Sequence, residues 1–154
     1  RRRAAASAAS LRRFSSISAC RACSASSAAT QCLEAAAAAG IPLTRRLTAR
    51  RVQFVTGHDV TGALPEDLNL AALADAQATT VVFMGKRTFP KLAAMLIEGG
   101  LPPETPAMMA EAVSTPDQKL TRTTVAALAE QLQSAQGTSA ALILYGALAD
   151  PETS

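Results

Sequence analysis

The sequence predicts an α/β fold, a sheet with helices packed on it, and three observations carry that prediction. Residues 52–58 (VQFVTGH) and 80–85 (TVVFMG) are short β-branched and aromatic runs, each closed by glycine, which is the pattern of a buried central strand. Each run is followed by a helical pattern, so the chain repeats strand, loop, helix, and parallel neighbours are expected. A further near-continuous apolar run, residues 141–146 (ALILYG), suits a sheet covered on both faces. In such sheets small molecules bind outside the carboxyl ends of the strands. Glycine tolerates any backbone angle, so Gly57 and Gly85 suit strand ends that meet a ligand.

The elements follow in order. Residues 31–39 are strong helix formers dominated by alanine, with Thr30 available as N-cap and Gly40 as terminator. Ile41-Pro42 forbids continuation, because proline drives the residue before it out of the helical region. After the first strand, a polar loop over 59–67 holds Gly62 and Pro65, and a helix is predicted over 68–76 with Leu70 and Leu73 on one face. Residues 91–98 read as a helix closed by Gly99-Gly100 and stopped by Pro102-Pro103. Residues 107–110 and 118–122 read as short strands around a turn containing Pro116-Asp117. A last helix over 125–136 leads through Gly137 to the final strand. There is no internal repeat.

The overall charge of +3 is misleading until it is divided. Residues 1–29 hold six arginines (Arg1, Arg2, Arg3, Arg12, Arg13, Arg21) and no acid. Removing those six from fifteen basic residues leaves nine against twelve acids, a balance of −3. The remainder is thus mildly acidic and poor in aromatics, which excludes the basic, aromatic-studded surface that nucleic acid demands. No apolar run approaches the roughly 20 residues needed to span a bilayer. Of three cysteines, Cys20 and Cys23 have the spacing of half a zinc site, but no second pair follows and the one histidine, His58, lies far downstream. A closed zinc site normally takes four ligands, so no metal is expected.

Residues 1–29 are almost wholly Ala, Ser, Arg and Cys, too poor in apolar surface to offset the cost of ordering the backbone. An Arg- and Ser-rich, acid-free leader matches an organelle transit peptide, with a disordered tail or an artefact of the gene as the alternative. The chain has no initiating methionine and reads as incomplete at its start. The expected organisation is a leader over 1–29, one α/β domain over 30–149 and a tail over 150–154.

Signs of self-sufficient catalysis are absent: there is no G-x-S-x-G, no P-loop and no G-x-G-x-x-G. His58 beside Asp59 could be an acid–base pair at a strand end, but a lone histidine in such a turn is more often a hydrogen-bonding loop residue. Arg45, Arg46, Arg50 and Arg51 form the basic cluster of the folded part. Their forks match carboxylates, so they suit a polycarboxylate substrate or, more plainly, a solvated loop. Met84, before Gly85, offers an uncharged, polarizable thioether suited to an adenine slot, though methionine is commonly core filler.

The order of segments resembles a known family. Gly40-Ile41-Pro42-Leu43-Thr44-Arg45-Arg46, then Phe54-Val55-Thr56-Gly57-His58, then Phe83-Met84-Gly85, then Thr115-Pro116-Asp117-Gln118 is similar to the C-terminal part of the tetrapyrrole methylase family, in its uroporphyrinogen-III C-methyltransferase branch. The resemblance spans about residues 28–149. It implies the C-terminal α/β domain of that fold, a mixed sheet flanked by helices, and S-adenosylmethionine as co-substrate. It also implies methyl transfer to two ring carbons of uroporphyrinogen III, a tetrapyrrole, giving precorrin-2 on the way to sirohaem and cobalamin, and a homodimer. Thr30 falls on the family's cofactor-contacting threonine, Gln31 on its small neighbour, Met84 on the methionine beside adenine, and Val113 on a small residue offering backbone contacts. Arg45, with Arg46 after it, takes the place of the histidine in a Thr-His-Arg sequence.

The family's glycine-rich first loop, its Gly-Gly-Asp cofactor loop and its proposed acid–base residues do not occur in these 154 residues. No catalytic residue is therefore assigned, and the chain alone is expected to be inactive. Two other readings stand beside this one: a non-catalytic dimerising module derived from the enzyme, or another precorrin-type methylase. A genuine transit peptide would send the protein to a plastid or mitochondrion, and otherwise it would be cytoplasmic.

Overall fold

A computed structural model describes residues 28–75, 77–134 and 140–149. Nearly all of the expected leader, with Cys20 and Cys23, lies outside the described residues, as do the tail, Gly137, the last residue of the helix predicted over 68–76 and the last two of the helix predicted over 125–136. The elements are α1 (Ala28–Ala39), β1 (Arg51–Thr56), α2 (Leu70–Leu73), β2 (Ala78–Phe83), α3 (Phe89–Glu98), β3 (Pro106–Glu111), β4 (Lys119–Thr124), α4 (Val125–Ser134) and β5 (Ala141–Tyr145). They build one five-stranded sheet in the order β1-β2-β5-β3-β4.

The sheet is mixed. Only β1 and β2 pair in parallel, with Arg51 opposite Ala78 and Thr56 opposite Phe83. β5 runs antiparallel between β2 and β3, and β4 closes the far edge antiparallel to β3. This is the mixed sheet that the family resemblance implies, and it is mixed because β5 is inserted between two strands that the chain made earlier. One consequence matters for function. β1, β2 and β3 all point the same way, so their carboxyl ends share one edge.

Side chains alternate between two cores as strand geometry requires. On one face Val81, Met108, Ala110, Leu142 and Leu144 pack under Cys32, Ala35, Ala36 and Ala39 of α1. On the other face Val82, Ala107, Met109, Ile143 and Tyr145 pack against α2, α3 and α4 through Leu73, Phe89, Leu92, Leu96, Leu128 and Leu132. Tyr145 is buried there; desolvation pushes its phenol up to about 12, and its hydroxyl donates to the Leu73 carbonyl at 3.0 Å.

Helix ends follow the expected chemistry, with shifted boundaries. α1 begins at Ala28, so Thr30 lies in the first turn and is not the N-cap. Gly40 does terminate α1. Its φ is +68°, and the pair of bonds Gly40 N–H to Ala37 O (3.1 Å) and Ile41 N–H to Ala36 O (3.0 Å) is a Schellman closure with Ile41 buried beyond it. α3 starts at Phe89 and ends the same way, with Gly100 rather than Gly99 in the left-handed conformation. α2 is a single turn, much shorter than the helix predicted over 68–76. Asn69 caps it late, accepting from the Ala72 N–H at 3.1 Å, and β2 must begin at Ala78 to meet β1.

β1 is an edge strand and not the buried central strand its composition suggests: Phe54 is 53% exposed. The two strand-closing glycines answer to each other. A Cβ on Gly57 would stand 2.4 Å from the Gly85 Cα, and one on Gly85 would stand 2.5 Å from a Val82 methyl. Gly57→Ala is therefore expected to cost about 2–3 kcal/mol in urea unfolding, since backbone must move to admit the methyl. Gly40→Ala, strained in φ but with open space around it, is expected to cost only about 1–2 kcal/mol. Equal losses would overturn this account.

Candidate functional site

The carboxyl edge of β1, β2 and β3 gathers the unusual backbone of the molecule. Among the described residues three non-glycine residues have positive φ: Met84 (52°), Ala112 (48°) and Ser114 (62°). All three lie just beyond a strand end at this edge. Left-handed non-glycine residues cost on the order of 1–3 kcal/mol each and persist only where surrounding contacts impose them.

Those contacts are specific. At Met84, Nδ1 of His58 lies 2.8 Å from the carbonyl oxygen. A carbonyl can only accept, so Nδ1 carries the proton and donates. His58 is thus a hydrogen-bonding loop residue. Gly57 N–H donates to the Phe83 carbonyl at 2.7 Å, and the Thr88 hydroxyl lies 2.5 Å from the Gly57 carbonyl and 3.2 Å from that of Gly85. The turn from β3 to β4 is held by the side-chain oxygen of Gln118 accepting from the Ser114 N–H (2.9 Å) and by the Thr115 hydroxyl donating to the Ala112 carbonyl (2.7 Å).

The edge is also tied to α1. The Ser114 hydroxyl donates to the Glu34 carboxylate at 2.9 Å, while at the far end of α1 the Ala39 carbonyl accepts from Arg122 of β4. Since Arg122 sits opposite Met108, midway along β3, α1 runs antiparallel to β1–β3 with its first turn toward their carboxyl ends. Thr30 and Gln31, both exposed, are thereby brought to the same end as Met84 and Val113. Met84 is 58% exposed, and Val113 is half-buried against the core beneath α1.

Lys86, two residues after Met84, forms an ion pair of 2.6 Å with Glu111, the last residue of β3, and each side chain is only 14% exposed. Nothing in the sequence pattern announces this pair, because its members lie 25 positions apart, one in the loop after β2 and the other at the end of β3, and those strands are not neighbours. Sequence reasoning likewise missed the Glu34–Ser114 bond and the backbone of Ala112 and Ser114.

Arg45 and Arg46 do not join this edge. Arg45 and Ala49 exchange backbone bonds of 2.7 and 3.1 Å in the loop that leads into β1, and the Arg46 carbonyl accepts from Nε of Arg50. A six-residue strand, roughly 20 Å long, separates that loop from Gly57. Arg51 pairs instead with Asp75. Among the described residues no group of three or more His, Cys, Asp or Glu is placed to hold a metal ion, and no helix is long and apolar enough to cross a membrane.

Comparison with known proteins gives this edge a context. The family model for tetrapyrrole (corrin/porphyrin) methylases matches residues 9–129, well over half of the chain. The chain belongs to that family of S-adenosylmethionine-dependent methylases. It is 40% identical over 111 residues to the chloroplastic S-adenosyl-L-methionine-dependent uroporphyrinogen III methyltransferase of Arabidopsis thaliana, covering 72% of this chain and 30% of that protein. It is 41% identical over 112 residues to the sirohaem synthase of Gluconobacter oxydans, covering 72% of this chain and 23% of that one. Among solved structures, uroporphyrin-III C-methyltransferase from Thermus thermophilus in complex with S-adenosyl homocysteine superposes with a TM-score of 0.60 at 28% identity, over 74% of this chain and 47% of the other. A cobalt precorrin-4 methyltransferase superposes with a TM-score of 0.69 at 30% identity, over 79% and 51%. The chain thus spans about half of those solved chains and under a third of those two curated relatives.

Beside the edge, Asp59 organises the loop after His58. Its carboxylate accepts from the Thr61 hydroxyl (2.6 Å) and from the N–H groups of Thr61 (2.8 Å) and Ala63 (3.1 Å), and the Thr61 hydroxyl above all holds its carboxyl below the ordinary aspartate value. With the folded value depressed, the loop's added order is full above the unfolded value and fades as pH falls through the folded one. Thr61→Ala is expected to raise the Asp59 midpoint toward 3.8 in an NMR carboxylate titration. An unmoved midpoint would assign the depression to some other group.

Proposed function

We propose that this chain contributes the adenosyl-binding half of an S-adenosylmethionine-dependent enzyme that methylates uroporphyrinogen III to precorrin-2, with residues 30–149 as the C-terminal α/β domain of the methylase fold. The observation that carries the reading is the convergence of Met84, Val113 and the first turn of α1 on one sheet edge, around three strained backbone positions. Family membership and the Thermus enzyme's complex with S-adenosyl homocysteine support it.

The residues present fit such a group. Met84 offers a polarizable, uncharged side chain at the surface, suited to the flat face of a purine. Val113, flanked by left-handed Ala112 and Ser114, leaves the backbone as the recognising surface, and the valine side chain narrows the slot relative to a smaller residue. Thr30 adds a hydroxyl from the first turn of α1, with Gln31 beside it. When bound, the co-substrate supplies an electrophilic methyl group on a sulfonium. The contribution of this chain's residues is to hold that methyl in line with a ring carbon, and alignment of this kind accounts for a large part of the rate in bimolecular group transfer. Arg45 and Arg46 suit the carboxylates of a polycarboxylate substrate, but they stand at the other end of β1 and would have to act on a different surface from the adenosyl edge. Assembly as a homodimer and residence in a plastid belong to the same proposal, the second supported by the chloroplastic Arabidopsis relative.

The test is direct binding. Titration calorimetry of the 154-residue chain with S-adenosyl homocysteine is expected to show saturable binding that Met84→Lys weakens by at least about ten-fold, because it places a charge against an apolar slot. Absence of binding, or binding indifferent to Met84→Lys, would overturn the reading. Purified alone and given S-adenosylmethionine and uroporphyrinogen III, the same chain is expected to show no turnover, since half a cleft aligns nothing. Measured product would show that these residues suffice.

A further inference from the structure

The Lys86–Glu111 pair has a place in this site that its energetics alone do not explain. Removing two charges from water costs several kcal/mol, and a buried pair of this kind is often matched in stability by well-packed apolar residues. A second ion pair, Arg51–Asp75, lies at the opposite edge with its arginine two-thirds exposed. What an ion pair supplies and apolar packing does not is a directional link of fixed length.

That link spans a particular interval. β2 and β3 are not neighbours: β5 stands between them, with Leu142 opposite both Phe83 and Ala110. Strand spacing puts β2 and β3 roughly 10 Å apart. Lys86, from the loop after β2, reaches across the start of β5 to the end of β3. On one side of the bridge stands Met84, two residues back, and on the other stand Ala112, Val113 and Ser114. The bridge therefore fixes the separation of the two segments proposed to contact the adenosyl group. At the same time it leaves no net charge beside an uncharged purine.

We infer that Lys86 and Glu111 are positioning residues for the co-substrate, a strap across β5 that sets the width of the slot between Met84 and Val113. The inference rests on the function proposed above. Lys86→Met, which keeps an apolar stem, and Glu111→Gln are each expected to weaken S-adenosyl homocysteine binding by at least about ten-fold in calorimetry of the full chain, at a temperature where circular dichroism shows the variant folded. The charge-swapped double variant, Lys86→Glu with Glu111→Lys, is expected to recover most of that loss. In the absence of ligand, the backbone amide resonances of Met84 and of Ala112–Ser114 should shift together in either single variant. A merely structural pair would lower the melting temperature, leave the affinity of the folded fraction unchanged and show no rescue, and that result would overturn the inference. Should the unsubstituted chain bind nothing while the amides still shift together, the functional reading fails and the strap stands as a mechanical link only. Amides that shift on one side alone would eliminate the strap itself.

Discussion

Everything at the carboxyl edge of the sheet depends on how closely the ends of β1 and β2 approach. Gly57 and Gly85 leave no room for a Cβ between them, and the Thr88 hydroxyl, at the start of α3, lies within reach of both their carbonyls. With the two backbones pressed together, the chain leaving β2 cannot continue in the extended conformation. It turns at Met84 into the left-handed region, where His58, coming from the end of β1, meets its carbonyl. The exposure of the Met84 side chain follows from that turn.

This arrangement alters the meaning of the glycines. From sequence, a strand ending in glycine suggests a backbone thinned to admit a ligand. Here the glycines admit each other, and the residue between strand end and glycine is the one that turns outward. The same logic holds at the other end of β2, where a Cβ on Gly146 would meet the Ala78 carbonyl at 2.6 Å.

Much of the architecture was legible because it rests on local chemistry. Alanine-rich α1 with its Gly40–Ile41 closure, α3 with its double glycine, and the apolar β2 and β5 each declare themselves within a window of about ten residues. What failed was non-local. The sequence of β1 looks central, yet the strand lies at an edge, because nothing in VQFVT states how many neighbours it has. The antiparallel insertion of β5 was hidden for the same reason, and α2 was overestimated because pairing of β2 with β1 overrides the helical tendency beyond Leu73. Of the proposed site residues, Met84 drew notice by its place before Gly85, while Thr30, Gln31 and Val113 were reached only through resemblance to a family, since composition alone makes each an ordinary residue. Lys86, Glu111 and the Glu34–Ser114 bond were beyond reach, as contacts across 25 and 80 positions leave no mark on periodicity.

The position of β5 sets the spacing on which the proposed site depends. Had β3 paired directly with β2, the ends carrying Met84 and Val113 would sit about 5 Å apart, too close to admit a flat group between them. An inserted strand doubles that spacing. Because β5 runs antiparallel, it starts at this edge, with its first residue Ala141 opposite Glu111. α1, which precedes β1, packs on one face of the sheet, while α2, α3 and α4 pack on the other. β2 and β3 share no hydrogen-bond ladder with each other; each pairs with β5 between them. Beyond the last paired residues, Phe83 and Glu111, the buried bridge from Lys86 to Glu111 is a side-chain link across that interval.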